Sequence, residues 1–411
     1  MQVRHDVRSW LAQHWNPELG LAEWRTRLAD SGWACPSWPA AWCGRGLPVG
    51  AVEAVSDEIA KAGAIGIPEG VGMHLAAPTI LEHGAETVKA RFLRKTVTGE
   101  FSWCQLFSEP GAGSDLAGLT TRADRDGDEW IVRGQKVWNT SAAHADFGLL
   151  LARTDWDVPK HRGITYFVLP MRQPGVEVRP LRQMNGHASF NEVFLDDARV
   201  PADHVVGQVN GGWSVALTTL AHERRLAPIG RGIPAGAREG RAVREAAEEI
   251  ARVAAPYRWY PQRAGRVDLV VPRAEAAGRA GDPRVRQEIG RLLSLARASQ
   301  WTAQRAAAAR ARGRPPGPEG SLGKLASSNI ARTAAAVHTD IAGASGMLAG
   351  PEAPLDGTIT EILLSVPAIS IAGGTDEIQH NIIGERVLGL PKEPEPARDL
   401  PFREVRTNSA R

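Results

Sequence analysis

Aromatic residues make up only 6% of this 411-residue chain, and cysteine is rarer still, with Cys35, Cys43 and Cys104 alone. An odd trio without metal-ligand spacing offers neither a disulfide framework nor a thiolate site, and a chain of this size needs no covalent staple; a reducing, cytoplasmic setting is expected. Long hydrophobic runs are missing as well. No apolar stretch approaches the roughly 20 residues of a membrane span, and the N-terminal residues 1–15 hold no apolar core of signal-peptide length. Nor does one sign of charge dominate. The 49 Lys and Arg against 46 Asp and Glu leave +3, spread along the chain, which builds no concentrated basic face for a phosphate backbone and excludes nucleic acid as an expected partner. Among the 11 histidines, His74, His83, His144, His187, His338 and His380 share no chelating spacing, so no metal is expected.

What is present is enough for sizeable cores: the chain is 43% hydrophobic and 23% charged, far too apolar for disorder. Thirteen of the aromatics are Trp, against 8 Phe and 3 Tyr, a bias that asks for an explanation.

Along residues 1–100 apolar residues recur at helical spacing, as in Val7, Trp10, Leu11 and Val52, Val55, Ile59, with breaks at Pro36, Pro39 and Gly44-Arg45-Gly46. From 101 to 208 the texture changes to short β-rich runs at 130–132, 148–151, 164–169, 176–178 and 191–195, with turn signals at 126–128 and 174–175. No helical patterns separate these runs, which disfavours a parallel α/β sheet. Helical periodicity resumes over 209–392. Asp282-Pro283 reads as a cap and first helical residue, followed by the stripe Val285, Ile289, Leu292, Ala296; a second helix runs from about Ser321. Residues 393–411, rich in proline and charge, read as a flexible tail.

Three segments carry chemistry. Residues 107–115, Phe-Ser-Glu-Pro-Gly-Ala-Gly-Ser-Asp, form a small-residue loop whose backbone N–H groups, with the Ser108 and Ser114 hydroxyls, could approach an anion; a plain domain junction reads equally from these residues. In Gly134-Gln135-Lys136-Val137-Trp138-Asn139-Thr140-Ser141, a Trp at a strand end with Thr two residues on would put an aromatic plane and a donor on one face, as a planar heteroaromatic cofactor requires; a core Trp is the alternative. Gly373-Gly374-Thr375-Asp376-Glu377 is a capped helix start, anion-compatible or merely structural.

In this order and spacing the three segments resemble the acyl-CoA dehydrogenase family, over roughly residues 20 to 392. Trp38-Pro39 with 44–47, and Asn191-Glu192-Val193-Phe194 with Val200-Pro201, are further matches. The resemblance implies an α+β chain: an N-terminal helical domain (1–100), a central small β-barrel domain (101–208) and a C-terminal four-helix bundle (209–392). It also implies an FAD enzyme that converts an acyl-CoA thioester to a trans-2-enoyl-CoA, with flavin N5 as hydride acceptor and an electron-transfer flavoprotein downstream. By the same carry-over Trp138 would flank the isoalloxazine, Ser108 and Thr140 would bond its N/O edge, and Leu106 and Gly113 would line the cofactor. Ser114 would lie near flavin or substrate, and Thr375 and Glu377 near the dinucleotide.

The sequence departs from the family pattern at the base. Many members carry the catalytic Glu directly before Gly-Thr of the third segment, where this chain has Gly373, and a hydrogen atom cannot abstract a proton. Other members place it on a bundle helix before an Arg, matched here by Glu223-Arg224, with Arg224 facing substrate. At helical spacing Glu223 shares a stripe with Ala216, Thr219, Leu220 and Ala227, a small apolar surround that would raise a carboxylate toward a working base; an ion pair with Arg224 or Arg225 is the alternative. The Arg-Thr-Gln-Phe-Gly run by which many family homotetramers reach a neighbour's FAD is missing, and Asp340 stands where Gln is usual. A homo-oligomer, dimer or tetramer, and a heteromer with a homologous chain are therefore both expected assemblies, the latter resembling members that act on steroid or other bulky acyl-CoAs. Two rival functions remain: other flavin chemistry on this fold, as an oxidase or on a secondary-metabolism thioester, and a non-catalytic subunit completing a partner's FAD site.

Overall fold

The computed structural model describes residues 2–223, 232–312 and 317–406. Helices α1 (Gln2–His14), α2 (Leu21–Asp30), α3 (Ala51–Lys61), α4 (Ala77–His83) and α5 (Glu86–Thr98) make up the N-terminal region, with a π-helical turn at Gly72–Ala76 leading into α4. Their apolar stripes meet: Val7 and Leu11 of α1, Leu21, Trp24 and Leu28 of α2 and Val55 of α3 form one core. Trp24 is fully buried there and donates its indole N–H to the Ile65 carbonyl at 2.6 Å, which removes the cost of burying that donor.

Strands β1 (Trp103–Leu106), β2 (Arg122–Asp126), β3 (Glu129–Lys136), β4 (Phe147–Arg153), β5 (Ile164–Pro170), β6 (Val176–Leu181) and β7 (Phe190–Pro201) form one sheet in the order β1-β4-β2-β3-β7-β6, with β5 paired to β4. Its pairs are antiparallel apart from β1 and β2 on β4. Side chains from six strands converge in one core, among them Leu106, Ala123, Val132, Leu150, Phe167 and Val193. Strands can share a core in this way only if the sheet curls around it, as the small-barrel expectation required. The alternate residues Leu149, Leu151, Tyr166 and Val168 of β4 and β5 face outward into a second core with Ile80, Phe92 and Val215 of the helices.

Helices α6 (Gly212–Glu223), α7 (Arg241–Ala254), α8 (Tyr260–Arg263), α9 (Val270–Ala276), α10 (Pro283–Ala311), α11 (Glu319–Ala342), α12 (Thr358–Ser365) and α13 (Asp376–Arg386) follow. Asp282 caps α10 as the sequence indicated, accepting from the Arg284 and Val285 N–H groups at 2.9 and 3.4 Å. None of the described helices is long and apolar enough to cross a membrane.

The chain divides into two compact units, one of residues 1–181, 188–256 and the C-terminal segment from 396, the other of 182–187 and 257–395. This differs from the boundary at 209. Helix α6 belongs to the first unit because Val215 and Ala216 join the core under β4 and β5, and Gly212 lies so close to the Tyr166 backbone that a Cβ there would meet its nitrogen at 2.5 Å. Helix α7 contributes Ala246 to the core of α1 and α2. In the second unit α11 is central, packing Val337 and Ile341 against Val285 and Leu292 of α10, and Ala331 against Ile362 of α12.

The expectation of a flexible tail over 393–411 is corrected only around Phe402 and Arg403, whose N–H groups bond the Val158 and Trp156 carbonyls. Phe402 is 2% exposed and its ring lies 3.4 Å from the guanidinium carbon of Arg153, while its N–H bonds the Val158 carbonyl at 2.9 Å. One aromatic residue in a polar segment is enough to dock it when a buried cation offers its face.

Candidate functional site

The first motif leaves the end of β1. Its Glu109 and Ala112 exchange backbone hydrogen bonds at 3.0 and 3.1 Å, closing a tight turn, so two of the N–H groups credited to an anion cradle are used inside the loop. Gly113 and Ser114 are exposed, and a Cβ on Gly113 would meet nothing within 4 Å. What fixes the loop is Glu109 itself. Its side chain is 4% exposed, and the carboxylate accepts from the Thr120 N–H at 2.7 Å, the Thr120 hydroxyl at 2.9 Å, the Thr121 N–H at 2.8 Å and the Lys136 ammonium at 2.8 Å. Burial alone would raise this carboxyl, but the Lys136 charge and these donors outweigh it and hold Glu109 at about 2. Lys136, fully buried, also donates to the Phe107 carbonyl at 3.0 Å. The two motifs are thus locked together by an ion pair that sequence reasoning did not assign; an acidic and a basic residue at fixed places in both motifs were the available signal.

In the second motif β3 ends at Lys136, so strand alternation does not place Trp138 and Thr140, and that part of the sequence argument is corrected. Trp138 is instead left-handed, with φ of +66°. For a bulky side chain this conformation costs about 1–2 kcal/mol. It turns the indole outward: Trp138 is 57% exposed and meets the Phe190 ring edge-on at 5.7 Å between centroids. The flanking backbone is pinned, with the Val137 N–H on the Ser108 carbonyl at 2.9 Å and Asn139 paired with Asn191 at 3.1 Å in both directions.

Glu223 ends described helix α6, half-buried, one turn after buried Thr219, whose hydroxyl bonds both Tyr166 and Thr79 at 3.0 Å. The surround is not purely apolar as anticipated: the Gln105 side-chain amide approaches the Glu223 carboxylate at 3.5 Å. The Gln105 backbone carbonyl meanwhile accepts from the Asn139 side chain at 2.7 Å. One β1 residue therefore touches both the Trp138 segment and the candidate base. Arg224, Arg225 and Ala227 lie outside the described residues.

Leu106, Ser108, Gly113, Ser114, Trp138, Thr140 and Glu223 thus all belong to the first unit, on β1, the loops it controls and α6. Thr375 and Glu377 belong to the second. There Thr375 caps α13, accepting from the Ile378 N–H at 3.3 Å, and Glu377, exposed, is held below the usual carboxylate range by its own backbone N–H and the Thr375 hydroxyl. Gly373 and Gly374 are left-handed, at φ of +68° and +89°, as a non-glycine residue would adopt only with strain. Asp340 is engaged within the unit by Arg284 at 3.3 Å.

The donor set suits a flavin. The Trp138 indole is exposed, and in the same pinned segments the Ser108 and Thr140 hydroxyls engage no protein group among the described residues; the buried Asn139 Oδ1, an acceptor, has no partner among them. A planar heteroaromatic group needs a stacking face and edge donors, and both are available here.

Fold and site define a class: a helix, sheet and helix chain in which an exposed indole's segment and a half-buried carboxylate are both tied to one strand residue, Gln105. Sequence models of the acyl-CoA dehydrogenase N-terminal, middle and C-terminal domains match residues 2–100, 104–198 and 267–388. Acyl-CoA dehydrogenase IpdE1 of Mycobacterium tuberculosis is 35% identical over 415 residues, 95% of this chain and 98% of that protein. Acyl-CoA dehydrogenase FadE34 of the same organism is 40% identical over 89% of this chain, which spans only 46% of that longer protein. Among solved structures, the Tcur3481-Tcur3483 steroid ACAD aligns with a TM-score of 0.66 at 26% identity, covering 95% of this chain and 97% of that one. The ChsE4-ChsE5 complex from Mycobacterium tuberculosis aligns at 0.65 and 27%, with the same coverage. This chain belongs to the acyl-CoA dehydrogenase family. It is accordingly an oxidoreductase of CH–CH bonds whose cofactor is FAD.

Proposed function

We propose that the chain dehydrogenates an acyl-CoA thioester between its α and β carbons to the trans-2-enoyl-CoA, with Glu223 taking the α-proton. The observation that carries this reading is the double engagement of Gln105, which ties the Trp138 segment and the Glu223 carboxylate to one strand residue. FAD, when bound, supplies the acceptor for the β-hydride. Trp138 would flank the ring, Ser108 and Thr140 would bond its polar edge, and Leu106 and Gly113 would line it. Ser114 would lie near the flavin or the CoA arm, Arg224 would face the substrate, and Thr375 and Glu377 would serve the dinucleotide. Proximity is the main contribution of this scaffold, since a carboxylate fixed beside the reacting carbon replaces an encounter in solution.

A bulky, steroid-type acyl group and pairing with a second homologous chain are proposed from the likeness to the two-chain complexes, one of them a steroid ACAD. An electron-transfer flavoprotein as acceptor and a cytoplasmic setting complete the reading. Gly373 and the missing Arg run favour, as a second reading, a subunit that completes a partner's FAD site without catalysis of its own.

Anaerobic titration of the FAD-loaded protein with a panel of acyl-CoAs, alone and with a homologous partner chain, tests both. Glu223→Gln should slow flavin bleaching by roughly 10²–10⁴, the usual worth of a general base. Bleaching at the natural rate in that variant refutes Glu223 as the base; flavin retention only after the partner is added favours the second reading.

A further inference from the structure

Trp138 combines two features that pull apart. Its backbone is in a conformation that side chains larger than glycine rarely adopt, and its indole is mostly exposed, with little packing to hold it. The information that keeps the ring in place must come through the backbone on either side. On one side the Val137 N–H bonds the Ser108 carbonyl at 2.9 Å. On the other stands Asn139, 2% exposed, with a concentration of bonds unusual for one residue. Its N–H and carbonyl pair with Asn191 at 3.1 Å each, the Asn191 side-chain amide adds a second bond to that carbonyl at 2.7 Å, and the Asn139 amide donates to the Gln105 carbonyl at 2.7 Å. A buried amide is costly unless its bonds are made. Here the bonds of the Asn139 side-chain N–H and backbone, though not of its Oδ1, join β1, β7 and the turn after β3 at one point.

We propose that Asn139 is a positioning residue, clamped by Asn191 and the Gln105 carbonyl, that fixes Trp138 in its left-handed conformation and so sets the plane on which the flavin stacks. The proposal rests on the reading of Trp138 as the flavin-flanking residue. Asn191 follows Phe190, whose ring meets the indole, so the clamp and the wall of the ring come from the same strand end. Gln105, whose own amide approaches Glu223, ties the clamp to the candidate base.

The test uses the full chain loaded with FAD, reading the FAD dissociation constant and the visible flavin band, with far-ultraviolet circular dichroism as the fold control. Trp138→Ala, Asn139→Leu and Asn191→Ala are compared with Val132→Ala, a core change in the same sheet that loosens packing without touching the clamp. Asn139→Leu is expected to weaken FAD binding at least tenfold and to shift the flavin band as Trp138→Ala does, with Asn191→Ala intermediate and Val132→Ala leaving the band unmoved. If Trp138→Ala shifts the band while both Asn variants keep the natural band and affinity, the positioning role is wrong. If Trp138→Ala itself changes neither, the stacking reading fails and the proposal falls with it. Should Asn139→Leu not fold, Asn191→Ala, which deletes only one side-chain bond to Asn139, carries the same comparison.

Discussion

Neutralising one partner of the Glu109–Lys136 pair should be among the most damaging single changes in the first unit. Lys136 is fully buried and Glu109 is 4% exposed, with 2.8 Å between them, so Glu109→Gln strands an ammonium in the core and Lys136→Met strands a carboxylate. Breaking a buried pair in this way costs about 3–5 kcal/mol. The folded-state acidity of Glu109 gives a second route to the number. The gap between about 2 in the fold and the ordinary 4.5 corresponds to ~3 kcal/mol on the carboxylate side, at 1.36 kcal/mol per tenfold change, whereas burial lowers Lys136 and so sets a cost of opposite sign on the ammonium side. Because the folded value is depressed, this stabilisation is full above about pH 4.5 and is lost as the pH falls toward about 2. At roughly 2–4 °C per kcal/mol, the scale for bodies of about 250 residues, each single variant should lower the melting temperature by about 6–20 °C at pH 7. The double variant Glu109→Gln/Lys136→Met should lose clearly less than the two singles together, since it leaves no unpaired charge. Calorimetry of the four proteins between pH 3 and 7 decides the matter. Singles that melt within 2 °C of the natural chain, or a double that equals their sum, would refute the account of the pair.

Phe402→Ala removes a buried ring from the face of Arg153, whose guanidinium also holds the Leu119, Ala117 and Lys160 carbonyls and which burial brings down to about 10. About 3 kcal/mol of stability should be lost, and proteolysis should open the segment after residue 396; unchanged protection would show that it is not docked. Gly212→Ala places a methyl 2.5 Å from the Tyr166 nitrogen and should destabilise the α6 junction by about 1–3 kcal/mol, checked by denaturant unfolding.

The helical and β textures were legible because periodicity reports which face of an element is buried, and α10 with its Asp282 cap followed directly. Strands β1 and β2 escaped notice: Trp103–Leu106 is only four residues, and Arg122–Asp126 carries four charges in five, so neither presents an apolar alternation. The placement of α6 and α7 escaped too. A helix stripe states that a face is buried but not against what, and the partner of Val215 is a strand some fifty residues earlier in the chain. The role of Gln105 was likewise invisible, since nothing in a half-buried amide on a short strand distinguishes it from any other.

By itself the sequence determined the order of helices, sheet and helices and the two loops that carry Ser108 and Trp138, because these reside in local spacing and residue type; the motifs in those loops carried the family resemblance, which implied the FAD cofactor. Only the tertiary structure decided how those loops are held. The Glu109–Lys136 lock, the left-handed turn at Trp138 and its Asn139–Asn191 clamp, and the docking of Phe402 on Arg153 each join residues from separate elements. Their energies depend on burial and on distances of about 3 Å that exist only once the sheet has curled and the helices have closed on it.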